Sequence, residues 1–280
     1  AASDVYKRQV LFAVINCIIP SAGFGHGIRH GILSFKFIFS HPTFLVFSLV
    51  MAYVAMEAKT KGVTFFKIAC LGILILTMRD KAFGFIGFVL AVWVFNMGSK
   101  KKLFPYLVLA GVVVLFVAWP KISEYISYSN SPRQALYTSA LSISFSYFPF
   151  GGGLASIASS LSGEYYSNAY SYYGLSNMTG LTPFDYIDAG DAGFAYYLGQ
   201  FGIIGFLLFL FILFLLYKVS VLRLPLGSPK RSSILYIFAY LVISLTVETS
   251  LTNATGIMAA ILIAIICGGD ALIFDNRQRS

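Results

Sequence analysis

The sequence predicts an all-α, polytopic integral membrane protein, because its composition and its pattern of apolar runs are both typical of that class. Of its 280 residues, 58% are hydrophobic and only 11% are charged, and the mean hydropathy is +0.80. A helix needs about 20 mostly apolar residues to cross the hydrocarbon core of a bilayer. Runs of roughly this length recur along the chain, and the composition excludes most classes of soluble protein.

About eight transmembrane helices are predicted from these runs. They cover roughly 10–22, 38–56, 63–77, 82–98, 103–119, 193–217, 232–248 and 252–269. The last two are short and have Glu248 near their turn, so a re-entrant hairpin is the alternative for that pair. The predicted organisation is an N-terminal transmembrane bundle over 1–119, an extracytoplasmic loop over 120–192, and C-terminal transmembrane helices with a short cytoplasmic tail over 193–280.

The distribution of positive charge predicts the orientation. Most of the 20 Lys and Arg residues fall on one set of alternate loops, together with both termini. The opposite set contains only Arg29, Lys36, Arg79, Lys81, Lys121 and Arg133. Since cytoplasmic loops are the ones enriched in Lys and Arg, both termini are expected in the cytoplasm and the long loop outside. The net charge of +9 is therefore mostly a topology signal, and no nucleic-acid partner is predicted.

The long loop is rich in tyrosine and is expected to contain a helix. A connection of this length is usually functional, and its many aromatic residues argue against disorder. Pro132 suits the first turn of a helix, and Pro149 followed by Gly151, Gly152 and Gly153 would end that helix and form a close backbone turn.

Charged residues of the loop supply the first candidate site. Arg133 at the start of the predicted helix could donate two hydrogen bonds to the oxygens of a phosphate or diphosphate. Alternatively, it could bind lipid headgroups or pair with a loop acid. Asp185, Asp188 and Asp191 recur at every third residue before the sixth span. One of them, with Asp191 preferred and Asp188 second, could act as a general base. The group could also hold a divalent cation, or be no more than solvated loop acids.

A second group of cations lies on the other predicted outside segments. Arg79 and Lys81 flank Asp80 in a tight turn between two apolar spans, where they could hold a second phosphate or simply form an ion pair in a hairpin turn. Arg29 is added to this phosphate-binding set. The three histidines, His26, His30 and His41, lack acidic or cysteine partners at ligand spacing, so neither a metal site nor a cofactor is predicted.

Tyrosines of the loop could stack on sugar rings, because an aromatic face offers apolar area beside a polar tip. The candidates are Tyr137, Tyr147, Tyr172 and Tyr173. An interfacial aromatic belt is the competing interpretation, and it suits Tyr196 and Tyr197 better than the loop tyrosines.

These features together resemble the O-antigen polymerase and ligase family of bacterial surface-polysaccharide assembly. The matching stretches are ILTMRDKAFGF at 75–85, the run from Arg133 through ALSISFSYFPFGGGLAS, and DAGFAYYLGQFGIIGFLLF at 191–209. The resemblance covers most of residues 40–270. Family members have more spans before the loop, and the chain starts with the polar stretch AASDVYKRQ rather than with Met, so we expect an N-terminally truncated member.

The resemblance implies a metal-independent, inverting glycosyltransferase of the bacterial cytoplasmic membrane. Such a protein polymerises repeat units carried on undecaprenyl diphosphate for O-antigen of lipopolysaccharide, capsule or exopolysaccharide. In that family, arginines of outside loops bind the diphosphate, which here implies Arg133 first and Arg79 second. The implied partners are the lipid-linked oligosaccharide, membrane lipid and, for some members, a chain-length regulator.

Two other functions are alternatives to a polymerase. Members of the ligase branch carry a histidine just before the equivalent of the sixth span, whereas this chain has Asp191 there and no histidine after His41, which favours a polymerase over an O-antigen ligase. A non-catalytic transporter of lipid-linked glycan would need charges along a path across the membrane, yet the predicted spans are nearly free of charge.

Overall fold

The computed structural model describes residues 23–29, 32–58, 64–97, 131–225 and 227–268. This part of the chain is mostly helical, which confirms the predicted predominance of α-helix. Its elements are β1 (Gly25–Arg29), β2 (Ile32–Phe35), α1 (Pro42–Glu57), α2 (Thr64–Leu76), α3 (Asp80–Met97), α4 (Pro132–Ser146), α5 (Ser160–Glu164), α6 (Asn168–Tyr172), a 3-10 turn (Leu175–Asn177), α7 (Gly193–Ser220), α8 (Pro229–Leu245) and α9 (Ala254–Gly268).

Helices α1, α2, α3, α7, α8 and α9 coincide with six of the predicted spans. The spans predicted at 10–22 and 103–119, and the first residues of the loop, lie outside the described residues. Within the described ranges, only α7 is long and apolar enough to cross a membrane, with a mean hydropathy of 2.5, while α1, α2 and α9 are shorter apolar helices. That several helices cross a membrane stays a prediction.

A two-stranded antiparallel sheet near the first helix was not predicted. Strands β1 and β2 pair with Ile28 opposite Leu33, and the hydroxyl of Ser34 donates a hydrogen bond to the carbonyl of Thr77 at 2.5 Å. Phe35 is fully buried. The strands are short, β1 contains two glycines and each strand has only one β-branched residue, so the sequence lacks the run of β-branched residues that would have signalled a strand.

The chain divides into two compact units. The first comprises Ala1–Ala118, Ser220–Tyr240 and Met258–Ser280, and the second comprises Trp119–Val219 and Leu241–Ile257. In the first unit, the ring of Tyr236 meets Tyr53 and Phe85 edge to face, at centroid distances of 5.8 and 6.2 Å. Such aromatic contacts each add about 0.5–1.5 kcal/mol to the burial of the rings.

Helix α4 organises the core of the second unit. Its N-cap is Ser131, whose side chain accepts a hydrogen bond from the backbone N–H of Gln134, and Pro132 occupies the first turn. Leu136, Ala140 and Ile143 follow at the spacing of one helical face. All three are buried, together with Ile157, Ala158, Tyr170, Leu175, Leu181, Ala189, Ala192 and Ala195.

The segment Pro149 to Gly153, here called the glycine elbow, ends α4 and joins it to α7. The backbone N–H of Gly152 donates to the carbonyl of Gly199 at 2.8 Å, and that of Gly153 donates to the carbonyl of Gln200 at 3.0 Å. Both carbonyls would otherwise accept hydrogen bonds within α7. The elbow therefore replaces part of the internal hydrogen bonding of that helix.

Helix α7 is kinked at Gly202, where the hydrogen bonds from the glycine elbow replace those within the helix. Gly202 has φ 65° and ψ −167°, which lies outside the helical region and is essentially restricted to glycine. A Cβ at Gly202 would collide with the backbone of Gly151 and Pro149. Most of the large apolar side chains of α7 that lie beyond the kink are exposed.

Replacing Gly202 with Ala should destabilise the protein by at least about 2 kcal/mol, because the side chain strains the backbone and also collides with the elbow. Thermal unfolding of the purified protein in detergent would measure this. Gly72→Ala is the matched control: Gly72 lies inside α2 with nothing within 4 Å of its Cβ position, so we expect no loss of stability. Equal melting of wild type and Gly202→Ala would contradict the described kink.

Candidate functional site

The second unit brings Arg133 and Asp191 together from positions 58 residues apart. The Nε of Arg133 donates to the backbone carbonyl of Asp191 at 2.9 Å, and its Nη2 donates to the Asp191 carboxylate at 3.1 Å. The Arg133 side chain is 24% exposed and that of Asp191 is 42% exposed, so solvent and ligands can reach the pair. Of the roles considered for Arg133 from the sequence, pairing with a loop acid is the one seen in this state.

Asp188 lies one turn before Asp191, in a segment of turns rather than a helix. The N–H of Asp191 donates to the Asp188 carbonyl at 3.0 Å, and the N–H of Asp188 donates to the Gly180 carbonyl at 3.1 Å. A Cβ at Gly180 would collide with the Asp188 carboxylate. The close approach of Gly180 therefore fixes where this carboxylate lies.

The environment raises the pKa of both carboxyls. Burial raises the pKa of Asp191 most, Arg133 opposes this, and the negative charges of Asp188 and Glu248 raise it further. Burial likewise raises the pKa of Asp188, with Arg133 lowering it and Asp185 raising it. A carboxylate with a raised pKa is a stronger base.

The divalent-cation role considered for the three aspartates finds no support from geometry. Across the described ranges, no group of three His, Cys, Asp or Glu side chains has an arrangement that could hold a metal ion. The backbone N–H and carbonyl of Asp185 both pair with Thr182.

The other predicted phosphate-binding cations belong to the first unit. Arg79 lies in the turn between α2 and α3, and its Nη2 is 2.9 Å from Nε2 of His41. The pKa of His41 is lowered to about 4, mostly by burial and also by the positive charges of Arg79, His26, Arg29 and Lys81. His41 is therefore neutral at pH 7. Because a guanidinium can only donate, Nε2 of His41 is the acceptor in this contact.

Three of the four tyrosines considered for sugar stacking line one cavity of the second unit. Tyr147, Tyr172 and Tyr173 surround a space of about 260 Å³. Tyr137 is not among its lining residues: its hydroxyl donates to the carbonyl of Thr246 at 3.2 Å, and its ring packs against the buried core.

Gln200 is a residue of α7 that was not predicted to be important. Its side chain forms hydrogen bonds that stabilise the second unit. It is only 2% exposed. Its amide donates to the carbonyl of Ile157 at 2.6 Å and to the hydroxyl of Ser159 at 3.1 Å, and its Oε1 accepts from the N–H of Ala155 at 3.1 Å. A glutamine within an otherwise apolar run was the signal that could have found it.

Comparison with known proteins adds no relative: no protein-family model, curated protein or solved structure matches this chain.

The charge environment of Asp191 can be tested by measuring, as a function of pH, its modification by a carbodiimide, which reacts with protonated carboxyls. Asp188→Asn should lower the pH midpoint at Asp191, because a negative charge that raises its pKa is lost. Arg133→Gln should raise that midpoint, because a cation that lowers the pKa is lost. Peptide mass spectrometry would report both midpoints. Glu164→Gln, which removes an exposed acid of the same unit, is the control and should leave the midpoint at Asp191 unchanged. If Asp188→Asn and Arg133→Gln also leave it unchanged, the described effect of the two charges on Asp191 is contradicted.

Proposed function

We propose that this protein is a polymerase of lipid-linked oligosaccharide repeat units. It is an inverting glycosyltransferase at the outer face of the bacterial cytoplasmic membrane, with several membrane-spanning helices and both termini in the cytoplasm. Its donor is a growing glycan on undecaprenyl diphosphate, and its acceptor is another lipid-linked repeat unit. The product would be O-antigen, capsule or exopolysaccharide.

One observation carries the proposal: a guanidinium and two carboxyls of raised pKa lie together at the start of α4 and α7. Transfer of a sugar from a diphosphate needs a cation for the departing anion and a base for the acceptor hydroxyl. Arg133 supplies the cation. Asp191 supplies the base, and Asp188 is the second candidate for that role. The motifs around these residues are those that resemble the polymerase family.

The reaction is a single displacement. The acceptor hydroxyl oxygen attacks the anomeric carbon of the donor sugar, and the bond from that carbon to the diphosphate breaks. The diphosphate leaves with the bonding electron pair and is stabilised by Arg133. The hydroxyl proton passes to the Asp191 carboxylate.

Donor binding also activates the base. A diphosphate that binds Arg133 competes with the Asp191 carboxylate for the same guanidinium. Because Arg133 holds the pKa of Asp191 down, loss of that hydrogen bond makes the carboxylate more basic when the acceptor must be deprotonated. Arg79, Lys81 and Arg29 of the first unit are proposed to bind a second phosphate group.

Arg133→Ala should abolish the glycan ladder on gels of surface polysaccharide from cells that lack the chromosomal gene, and Arg133→Lys should also fail. Lys keeps the charge but cannot contact two oxygens in the fixed geometry of a guanidinium. Wild type should restore the ladder. Arg223→Ala is the matched control, since Arg223 is exposed and lies in a predicted cytoplasmic loop, and it should restore the ladder at equal membrane abundance.

Other outcomes of the complementation experiment would favour other functions. A full ladder from Arg133→Ala would overturn the role of Arg133. Polymer that accumulates on its carrier without reaching its final acceptor would indicate a ligase. Single repeat units retained on the cytoplasmic side would indicate a transporter.

Asp191→Asn should slow polymerisation by about 10²–10⁴-fold in membranes supplied with lipid-linked repeat units, which is the usual contribution of a general base. Asp188→Asn should slow it less. Because the Asp188 charge raises the pKa of Asp191, this second variant should remain active to lower pH than wild type. Rates measured across pH test both statements, and an Asp191→Asn enzyme of wild-type rate would exclude Asp191 as the base.

A further inference from the structure

The cavity beside the C-terminal end of α4 contains a combination of side chains that no part of the proposed reaction uses. Tyr147 follows α4, and Tyr172 and Tyr173 end α6. Ser156, Ser167 and Asn168 add hydroxyl and amide groups to the wall of the same space. The cavity volume, about 260 Å³, is near the lower end of the range for ligand pockets, about 300–1,000 Å³.

Tyr147 and Tyr172 present their rings to solvent, whereas Tyr173 is half-buried and packs against the core. Tyr147 is 60% exposed and Tyr172 is 83% exposed, and the rings of Tyr172 and Tyr173 meet edge to face at a centroid distance of 4.9 Å. Aromatic rings held in place by each other lose little side-chain freedom when a ligand binds. Their faces fit the apolar C–H face of a sugar ring, whose hydroxyls then reach the polar groups.

Ser156 provides a second, independent observation. Its hydroxyl oxygen is buried, and no described residue forms a hydrogen bond with it. A buried hydroxyl without a partner costs about 1–3 kcal/mol, which a hydroxyl of a bound ligand would recover. Gly152 keeps this space open, because a Cβ there would lie 2.9 Å from the Ser156 hydroxyl oxygen.

We infer that this cavity binds one sugar of the glycan substrate, far from the bond that is formed. The inference rests on the proposed function. Arg133 and Tyr147 are 14 positions apart along α4, and a rise of 1.5 Å per residue separates them by about 20 Å. A sugar in the cavity therefore cannot be the one attached to the diphosphate at Arg133. The cavity selects the repeat unit by a sugar remote from the reaction.

Binding can be measured without catalysis. The probe is the repeat-unit oligosaccharide released from the host's own surface polymer, free of its lipid carrier, and the readout is saturation-transfer NMR with the full chain in lauryldimethylamine oxide, a detergent without sugar. Tyr172→Ala should weaken binding about tenfold, the change expected when an aromatic contact is lost, and Asn168→Ala should weaken it as well. Tyr165→Ala is the control, since Tyr165 is 76% exposed and is not a lining residue.

Arg133→Ala separates the cavity from the proposed reaction. It should bind the carrier-free oligosaccharide as wild type does while it fails to polymerise. The cavity assignment would be overturned if wild type did not bind the oligosaccharide. It would also be overturned if Tyr172→Ala and Asn168→Ala bound it as tightly as wild type and melted at the same temperature. A full ladder from Arg133→Ala together with Tyr172-dependent binding would instead overturn the reaction and leave the sugar site in place.

Discussion

The backbone contact between the glycine elbow and Gly202 fixes the geometry of the second unit. Two chain segments can approach this closely only where neither carries a Cβ, and the hydrogen bonds that α7 loses at its kink are replaced by those of the elbow. Helix α4 is thereby attached to α7 at its C-terminal end. At its N-terminal end, the two hydrogen bonds from Arg133 to Asp191 make a second attachment. Since α4 is attached at both ends, its length sets the separation between the charged site and the tyrosine cavity.

The charged end of α4 combines two requirements that normally conflict. A base needs a raised pKa, whereas a cation nearby lowers it. Burial is the larger effect at Asp191, so its pKa stays raised although Arg133 donates to it. The pair is only partly buried, which limits its net contribution to stability. An exposed, exchangeable ion pair of this kind suits a site where an anionic substrate takes over the guanidinium.

The sequence was informative wherever the signal was local. Pro132 and the cluster of Pro149 with its three glycines bracket α4 correctly, because proline and glycine act within one turn of the chain. The partner of Arg133 could not be chosen from several loop acids, since their pairing depends on how α4 packs against the start of α7. The kink at Gly202 was equally hidden, because its cause lies about 50 residues earlier in the elbow. The β1–β2 sheet was missed because both strands are short and β1 contains two glycines, so they carry little strand signal of their own.

Arg79 and Arg133, which were grouped together from the sequence, differ in the partners that hold them. Arg133 donates to a carboxylate, so that contact offsets its charge and a ligand must displace it. Arg79 donates to His41, which burial and neighbouring cations keep neutral. A neutral imidazole orients the guanidinium and leaves its charge intact in that contact. An anionic substrate must therefore displace a carboxylate to reach Arg133, whereas the His41 contact of Arg79 places no competing charge against it. The two arginines thus differ in the charge of the partner that each contacts.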